Sequence, residues 1–183
     1  MNKQMVVLTG SPRSHGNSNS MAAAFMKKAE AYGYEIERFD TAKMDIGFCT
    51  ACYGCKETAE CVKKDDFQKI ASAIEKADAV IFVMPLYWYS IPGQMKAVID
   101  RFQSLAFEKD RLVGKKCALI ACCADEGVEK FDGIVIPYRK ILEKFQWESA
   151  GELLVNGLYS YTDIAQTDAC ERAERFAAAF EEK

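Results

Sequence analysis

Met5-Val6-Val7-Leu8-Thr9-Gly10-Ser11-Pro12-Arg13-Ser14-His15-Gly16-Asn17-Ser18-Asn19-Ser20 is the stretch on which the reading of the fold turns. Its first five residues are apolar or β-branched and stop at Gly10-Ser11-Pro12, the composition of a strand buried on both faces of a parallel sheet. A polar loop, Arg13 to Ser20, follows. From Met21 to Ala31 the spacing of Met21, Ala24, Phe25 and Lys28 predicts a helix with one apolar face, closed by Gly33 as its C-terminal cap. A buried strand running through a polar, glycine-bearing turn into a helix is half of a βαβ unit.

Outward from this stretch the same alternation continues. Tyr34 to Phe39 alternates as a second strand. Asp65-Asp66 predicts the cap of a helix over Phe67 to Lys76, with Phe67, Ile70, Ala71 and Ile74 as its apolar stripe. Ala79 to Met84 is the most hydrophobic run and reads as a central strand. Gln94 to Gln103 is helical, Cys117 to Cys123 is a fourth strand, and residues 134–146 form a helix with Pro137 near its start. Glu152 to Val155 is a short fifth strand, and Thr167 to Glu182 is a last amphipathic helix. The expected fold is α/β, a doubly wound five-stranded parallel sheet, forming one domain over residues 1–183. No internal repeat, linker or low-complexity tract interrupts it.

Composition narrows the function. With 28% charged residues and a net charge of −3, the chain lacks the concentrated basic surface that nucleic acid requires. No run of about 18 apolar residues offers a membrane span, and the N-terminus carries no signal-peptide pattern. A cytoplasmic location is therefore expected. Of the eight cysteines, Cys49, Cys52, Cys55 and Cys61 are clustered within thirteen residues. In a reducing compartment such clustering points to metal binding or redox chemistry rather than structural disulfides.

The loop after the first strand has the chemistry of a phosphate cradle. A helix N-terminus at the carboxyl edge of a parallel sheet offers free N–H groups to an anion. Ser11, Ser14, Asn17, Ser18 and Asn19 add neutral donors, and Arg13 adds a guanidinium suited to phosphate oxygens. Neither a Gly-Lys-Ser/Thr ending nor Gly-x-Gly-x-x-Gly is present, so a single terminal phosphate fits better than a triphosphate or a tightly held dinucleotide. The plainer alternative is that Ser and Asn only cap the helix. His15, the one histidine, reads as an exposed loop residue. A second loop, Pro85-Leu86-Tyr87-Trp88-Tyr89-Ser90-Ile91-Pro92-Gly93, follows the central strand. Three adjacent aromatics in a turn cannot all face one core, so some rings are expected at the sheet edge. There they can meet a planar ligand such as isoalloxazine or, alternatively, a neighbouring subunit.

Taken together, Ser11-Pro12-Arg13, Gly16-Asn17-Ser18, the segment Pro85 to Lys96 and Ile99-Asp100-Arg101 resemble the NADPH-dependent FMN reductase family, whose fold is flavodoxin-like. The resemblance runs from about Met5 to Asp125. It implies that Ser11, Arg13, Asn17 and Ser18 hold the FMN phosphate. It implies that Pro85, Leu86, Tyr87 and Trp88 border the flavin ring, and that the loop near Cys122 to Asp125 closes the other side. The family commonly dimerises near the flavin, which implies a homo-oligomer, dimer or tetramer.

Cys49-x2-Cys52-x2-Cys55-x5-Cys61 is similar to the compact motif of the iron–sulfur flavoproteins, a branch of the same family, and implies a [4Fe–4S] cluster on those four thiolates. Structural zinc, a thiol–disulfide pair and plain free thiols remain open on spacing alone. The expected activity is an FMN-dependent NAD(P)H oxidoreductase with NAD(P)H as a transient donor and a quinone, flavin or similar small molecule as acceptor. No catalytic acid or base is assigned. The alternatives are an electron carrier between protein partners and a flavin-free phosphate-ligand binder.

Overall fold

The structure, a computed structural model, describes residues 3–181. Five strands form one parallel sheet: β1 (Lys3–Thr9), β2 (Tyr34–Asp40), β3 (Ala79–Pro85), β4 (Lys116–Cys122) and β5 (Glu148–Val155). They lie in the order β2-β1-β3-β4-β5. The helices are α1 (Asn17–Ala31), α2 (Phe67–Lys76), α3 (Gly93–Leu105), α4 (Asp132–Phe145) and α5 (Ala169–Phe176). This is the flavodoxin-like strand order, so the expected doubly wound α/β fold is borne out.

Alternation along β1 sorts its side chains to two cores. Met5 and Val7 pack with Met21 and Phe25 of α1 and with Ala169 and Ala173 of α5. Val6 and Leu8 pack with Ile70 and Ile74 of α2, Met95 and Val98 of α3 and Ile134 of α4. All six residues from Ala79 to Met84 are buried, as a strand covered on both faces demands. The sheet order reverses between β1 and β3, which are paired with Thr9 beside Val83. A topological switch of this kind opens a crevice at the carboxyl ends of the two strands, where α/β folds bind ligands. Both singled-out loops leave the sheet there.

Several boundaries differ from those expected; four have a plain physical reason or consequence. α1 begins at Asn17, not Met21, so Asn17 and Ser18 belong to its first turn. The polar residues hid this start because they fail the apolar spacing used to find it. α4 likewise begins at Asp132 and carries Pro137 inside it. β5 starts at Glu148, because residues 148–151 pair with β4 across a register shift while staying too exposed to show an apolar pattern. α5 ends at Phe176 and gives way to a tight helical turn over Ala177–Phe180, and Glu182 lies outside the described residues.

The cap of α2 also differs. Asp66 makes no side-chain cap. Instead Asp65 Oδ1 accepts the Phe67 N–H at 3.2 Å, and Asp66 Oδ2 accepts the Asp45 N–H at 2.9 Å.

Candidate functional site

One cavity of about 280 Å³ lies at the switch point, lined by Ser11, Arg13, Gly16, Asn17, Ser18, Pro85, Leu86 and Tyr87. Seven of these eight are residues singled out from sequence for the phosphate or the ring. Its remaining walls are Cys122 to Ala124 and a segment the sequence reading passed over, Leu158 to Tyr161. Trp88 is not in the wall; it stands at the tip of its loop, 95% exposed.

The phosphate loop is shaped by its own asparagines. Buried Asn19 donates to the carbonyls of Arg13 (2.8 Å) and Ser11 (3.4 Å) and accepts from Arg38 Nη2 at 3.1 Å. Asn17 donates to the Ser160 carbonyl at 2.8 Å and accepts the Ile164 N–H at 3.2 Å. Asn17, expected at the phosphate, lies in the cavity wall, and both ends of its amide also tie the loop to the segment after β5. No side chain caps α1, and its first turn carries no acidic residue. The N-cap residue, Gly16, thus brings no side-chain acceptor to the first turn, and no carboxylate stands in that turn to repel an anion. Arg13 is exposed, with its guanidinium 6.0 Å from the centre of the Tyr161 ring. The chemistry of this donor set fits a phosphomonoester.

The aromatic loop is a two-residue hairpin. Tyr87 and Ser90 exchange both backbone hydrogen bonds, at 3.1 and 3.0 Å. Between them Trp88 and Tyr89 hold φ of 46° and 58°. Left-handed backbone costs a side-chain-bearing residue about 1–2 kcal/mol, and such strain persists where surrounding contacts over-determine it. The contacts are visible: the Tyr89 hydroxyl donates to Asp125 Oδ2 at 2.7 Å, and the Tyr89 carbonyl lies against Gly133 at the start of α4. Trp88→Gly is expected to raise stability by roughly 0.5–1 kcal/mol, the relieved strain less the entropy of glycine. Thermal denaturation of the two chains checks this.

Two adjacent thiols border the cavity. Burial pushes the Cys122 thiol up to about 12, and burial followed by the charges of Asp125 and Glu126 raises Cys123. Both are neutral near pH 7 and serve as apolar wall.

The four clustered cysteines do come together. Cys49, Cys52, Cys55 and Cys61 line a second cavity of about 310 Å³, with Arg101 and Ser104 of α3 as part of its opposite wall. The thiols sense one another: burial, then the charges of Cys61, Cys52 and Cys49, raises Cys55. The Gly54 N–H lowers Cys52. Ala51, Tyr53 and Ala59 in this loop all hold positive φ, of 51°, 57° and 56°. Among the described residues no three of His, Cys, Asp and Glu are gathered closely enough to hold a single metal ion.

The neck of the loop is tightly closed. Arg101 Nη1 reaches both oxygens of Asp65 (2.6 Å to Oδ1) and the Gly47 carbonyl at 3.2 Å. Burial pushes the Asp65 carboxyl up, but hydrogen bonds from Arg101, the Gly47 N–H and the Phe67 N–H hold it below its ordinary value. A carboxylate depressed in the folded state contributes stability that is complete above its unfolded pKa of about 3.9 and is lost as pH falls through the folded value. Below pH of about 4 the wild-type chain is therefore expected to lose stability more steeply than an Asp65→Asn variant, as acid titrations of both by circular dichroism would read.

Comparison with known proteins agrees with this geometry. An iron–sulfur flavoprotein of Archaeoglobus fulgidus is 38% identical over 96 residues, covering 52% of this chain and 44% of that protein. One of Methanosarcina thermophila is 31% identical over 94 residues, covering 51% and 49%. The chain thus spans about half the length of the curated relatives it matches. Among solved structures, the Trp repressor binding protein of Bacillus subtilis has a TM-score of 0.71 at 23% identity, covering 94% of this chain and 99% of that one. The NAD(P)H:quinone oxidoreductase of Methanothermobacter marburgensis has a TM-score of 0.74 at 18% identity, covering 100% and 98%. These likenesses support the fold. Residues 4–133 match the pattern of one family over well more than half of the chain, and the chain belongs to the NADPH-dependent FMN reductase family.

Proposed function

We propose that this chain is a single-domain, FMN-dependent NAD(P)H oxidoreductase delivering electrons to a small acceptor such as a quinone or free flavin. The observation that carries the reading is convergence. An uncapped helix N-terminus with Ser11, Ser18 and Arg13 shares one cavity with Pro85, Leu86 and Tyr87 at the sheet's switch point. Bound FMN supplies the capacity to take an electron pair from a nicotinamide and release electrons singly or in pairs.

The protein's part is placement. The first turn of α1, with Ser11, Ser18 and Arg13, would hold the phosphate. Pro85, Leu86 and Tyr87 would border one side of the ring, and Cys122 to Ala124 the other. Exposed Trp88 and Tyr89 give a planar donor or acceptor an aromatic surface at the cavity mouth. The same exposed rings, with Tyr159 and Tyr161, support a homo-oligomer, a dimer or tetramer assembled at this rim. Among the described residues no helix is long and apolar enough to cross a membrane. All eight cysteines stand as free thiols, a state suited to the reducing cytoplasm proposed for the chain.

The test is oxidation of NADPH and NADH by the FMN-loaded chain with a soluble quinone. Saturable turnover that depends on bound FMN is expected. Full FMN occupancy with no turnover on either nicotinamide would instead favour a carrier between protein partners.

A second reading concerns the cysteine loop. Four thiols about one cavity, in a chain whose relatives include iron–sulfur flavoproteins, support a [4Fe–4S] cluster held by Cys49, Cys52, Cys55 and Cys61. Such a cluster would add one-electron transfer. Anaerobic purification with iron, sulfide and zinc analysis tests it. Four irons per chain, lost on Cys55→Ser, are expected; stoichiometric zinc or no metal would contradict it.

A further inference from the structure

One side chain in the wall of the cysteine cavity has unusual chemistry for its setting. Arg101 is 1% exposed, among the largest of the side chains that are almost wholly buried. Its Nη1 binds Asp65 and the Gly47 carbonyl, and its Nη2 lies 3.4 Å from the Lys63 carbonyl. One guanidinium therefore ties together both arms of the loop, residue 47 before the cysteines and residues 63 and 65 after them. Its face lies 4.4 Å from the centre of the Phe67 ring. Four of its five N–H groups are on the two Nη atoms; the fifth, on Nε, is buried and has no hydrogen-bond partner among the described residues.

A buried charged donor without an acceptor is costly, and a well-packed fold retains one where something else meets it. The four thiols line the same cavity as Arg101. Sulfur of a thiolate or of inorganic sulfide is the acceptor that this wall would face.

We propose that Arg101, paired with Asp65, is the positioning and charge-setting residue of the four-cysteine centre: its fork fixes both arms of the loop, and its side chain lines the cavity that the four thiols share. The proposal rests on the iron–sulfur reading above. It has a consequence that a purely structural brace lacks. Reduction adds negative charge to the centre, and buried charges nearby act on it through a low dielectric. Removing the cation in Arg101→Gln leaves Asp65 as an uncompensated anion and makes reduction harder. Removing the anion in Asp65→Asn leaves the cation uncompensated and makes reduction easier. The two variants break the same ion pair, yet they move the potential in opposite directions.

The experiment uses the whole FMN-loaded chain, reconstituted anaerobically with ferrous iron and sulfide. Iron per chain, the cluster midpoint potential by redox titration with electron paramagnetic resonance, FMN content and thermal stability are measured for wild type, Arg101→Gln, Arg101→Lys and Asp65→Asn. The expected result is at least a tenfold shift of the one-electron equilibrium, about 59 mV, downward for Arg101→Gln and upward for Asp65→Asn. Arg101→Lys, which keeps the charge, stays nearer to wild type than Arg101→Gln does. Should Arg101→Gln fail to fold, Asp65→Asn decides alone, an upward shift supporting the proposal and an unchanged or lower potential overturning it. Shifts of one sign in both variants, or none in either with the cluster loaded, overturn the proposal and leave the iron–sulfur reading intact. A wild-type chain that binds FMN but takes up no iron overturns that reading and the proposal with it.

Discussion

Arg13→Ala is expected to weaken FMN binding by about 10- to 150-fold while leaving the thermal stability of the FMN-free chain unchanged. The magnitude follows from the charge of the ligand. A hydrogen bond to a charged group contributes about 1.5–3 kcal/mol, and about 1.4 kcal/mol is a factor of ten in affinity. Arg13 is the cation in the wall formed by Ser11, Gly16, Asn17 and Ser18, and it is exposed, so the folded chain loses little packing when it is cut back. The loop itself is held by Asn19 and Asn17, not by the arginine side chain. Fluorescence titration with FMN and with riboflavin separates the effects. Loss for FMN with little change for riboflavin places Arg13 at the phosphate; equal loss for both contradicts that role.

Gly133→Ala is expected to destabilise the chain by about 1–3 kcal/mol, the ordinary cost of overpacking, and to lower flavin affinity as well. At a typical helical position the same change would stabilise by up to about 1 kcal/mol. Here the sign reverses, because a Cβ on Gly133 would fall 1.9 Å from the Tyr89 carbonyl oxygen and 3.0 Å from its carbon. Those are backbone atoms of a strained hairpin already pinned by the Tyr89–Asp125 hydrogen bond, so neither partner yields by a rotamer change. The hairpin must move, and Tyr87 in the cavity wall moves with it. A melting temperature at or above wild type, with flavin affinity retained, would contradict this account.

The fold was legible because its strands are apolar and its helices periodic. Ala79 to Met84 announces a central strand, and the turn chemistry after Thr9 places a ligand loop at its edge. What failed to show did so for physical reasons. Asn17 to Ser20 are helical but polar, so they offer no apolar spacing by which a helix start is found. Residues 148–151 are strand but exposed or only half-buried, on the edge strand of the sheet. The cavity's third wall, Leu158 to Tyr161, has no regular structure and no motif. Its aromatic pair, Tyr159 and Tyr161, was the one available signal. The two bonds of Asn17, to Ser160 in that wall and to Ile164 just beyond it, join residues 143 and 147 apart in the chain, which local reasoning cannot reach. Conversely, the pairing of Arg101 with Asp65 was hidden in plain view: a helix-cap motif and a conventional helical arginine, which only the folded chain brings together.

The central claim is that the crevice between β1 and β3 holds one FMN by its phosphate. Titration of the purified, flavin-free chain with FMN, followed by flavin fluorescence and visible absorption, tests it most directly. One FMN per chain, bound more tightly than riboflavin and released by Arg13→Ala, is the predicted result. A folded chain that takes up neither flavin, or that binds riboflavin as tightly as FMN, would contradict it.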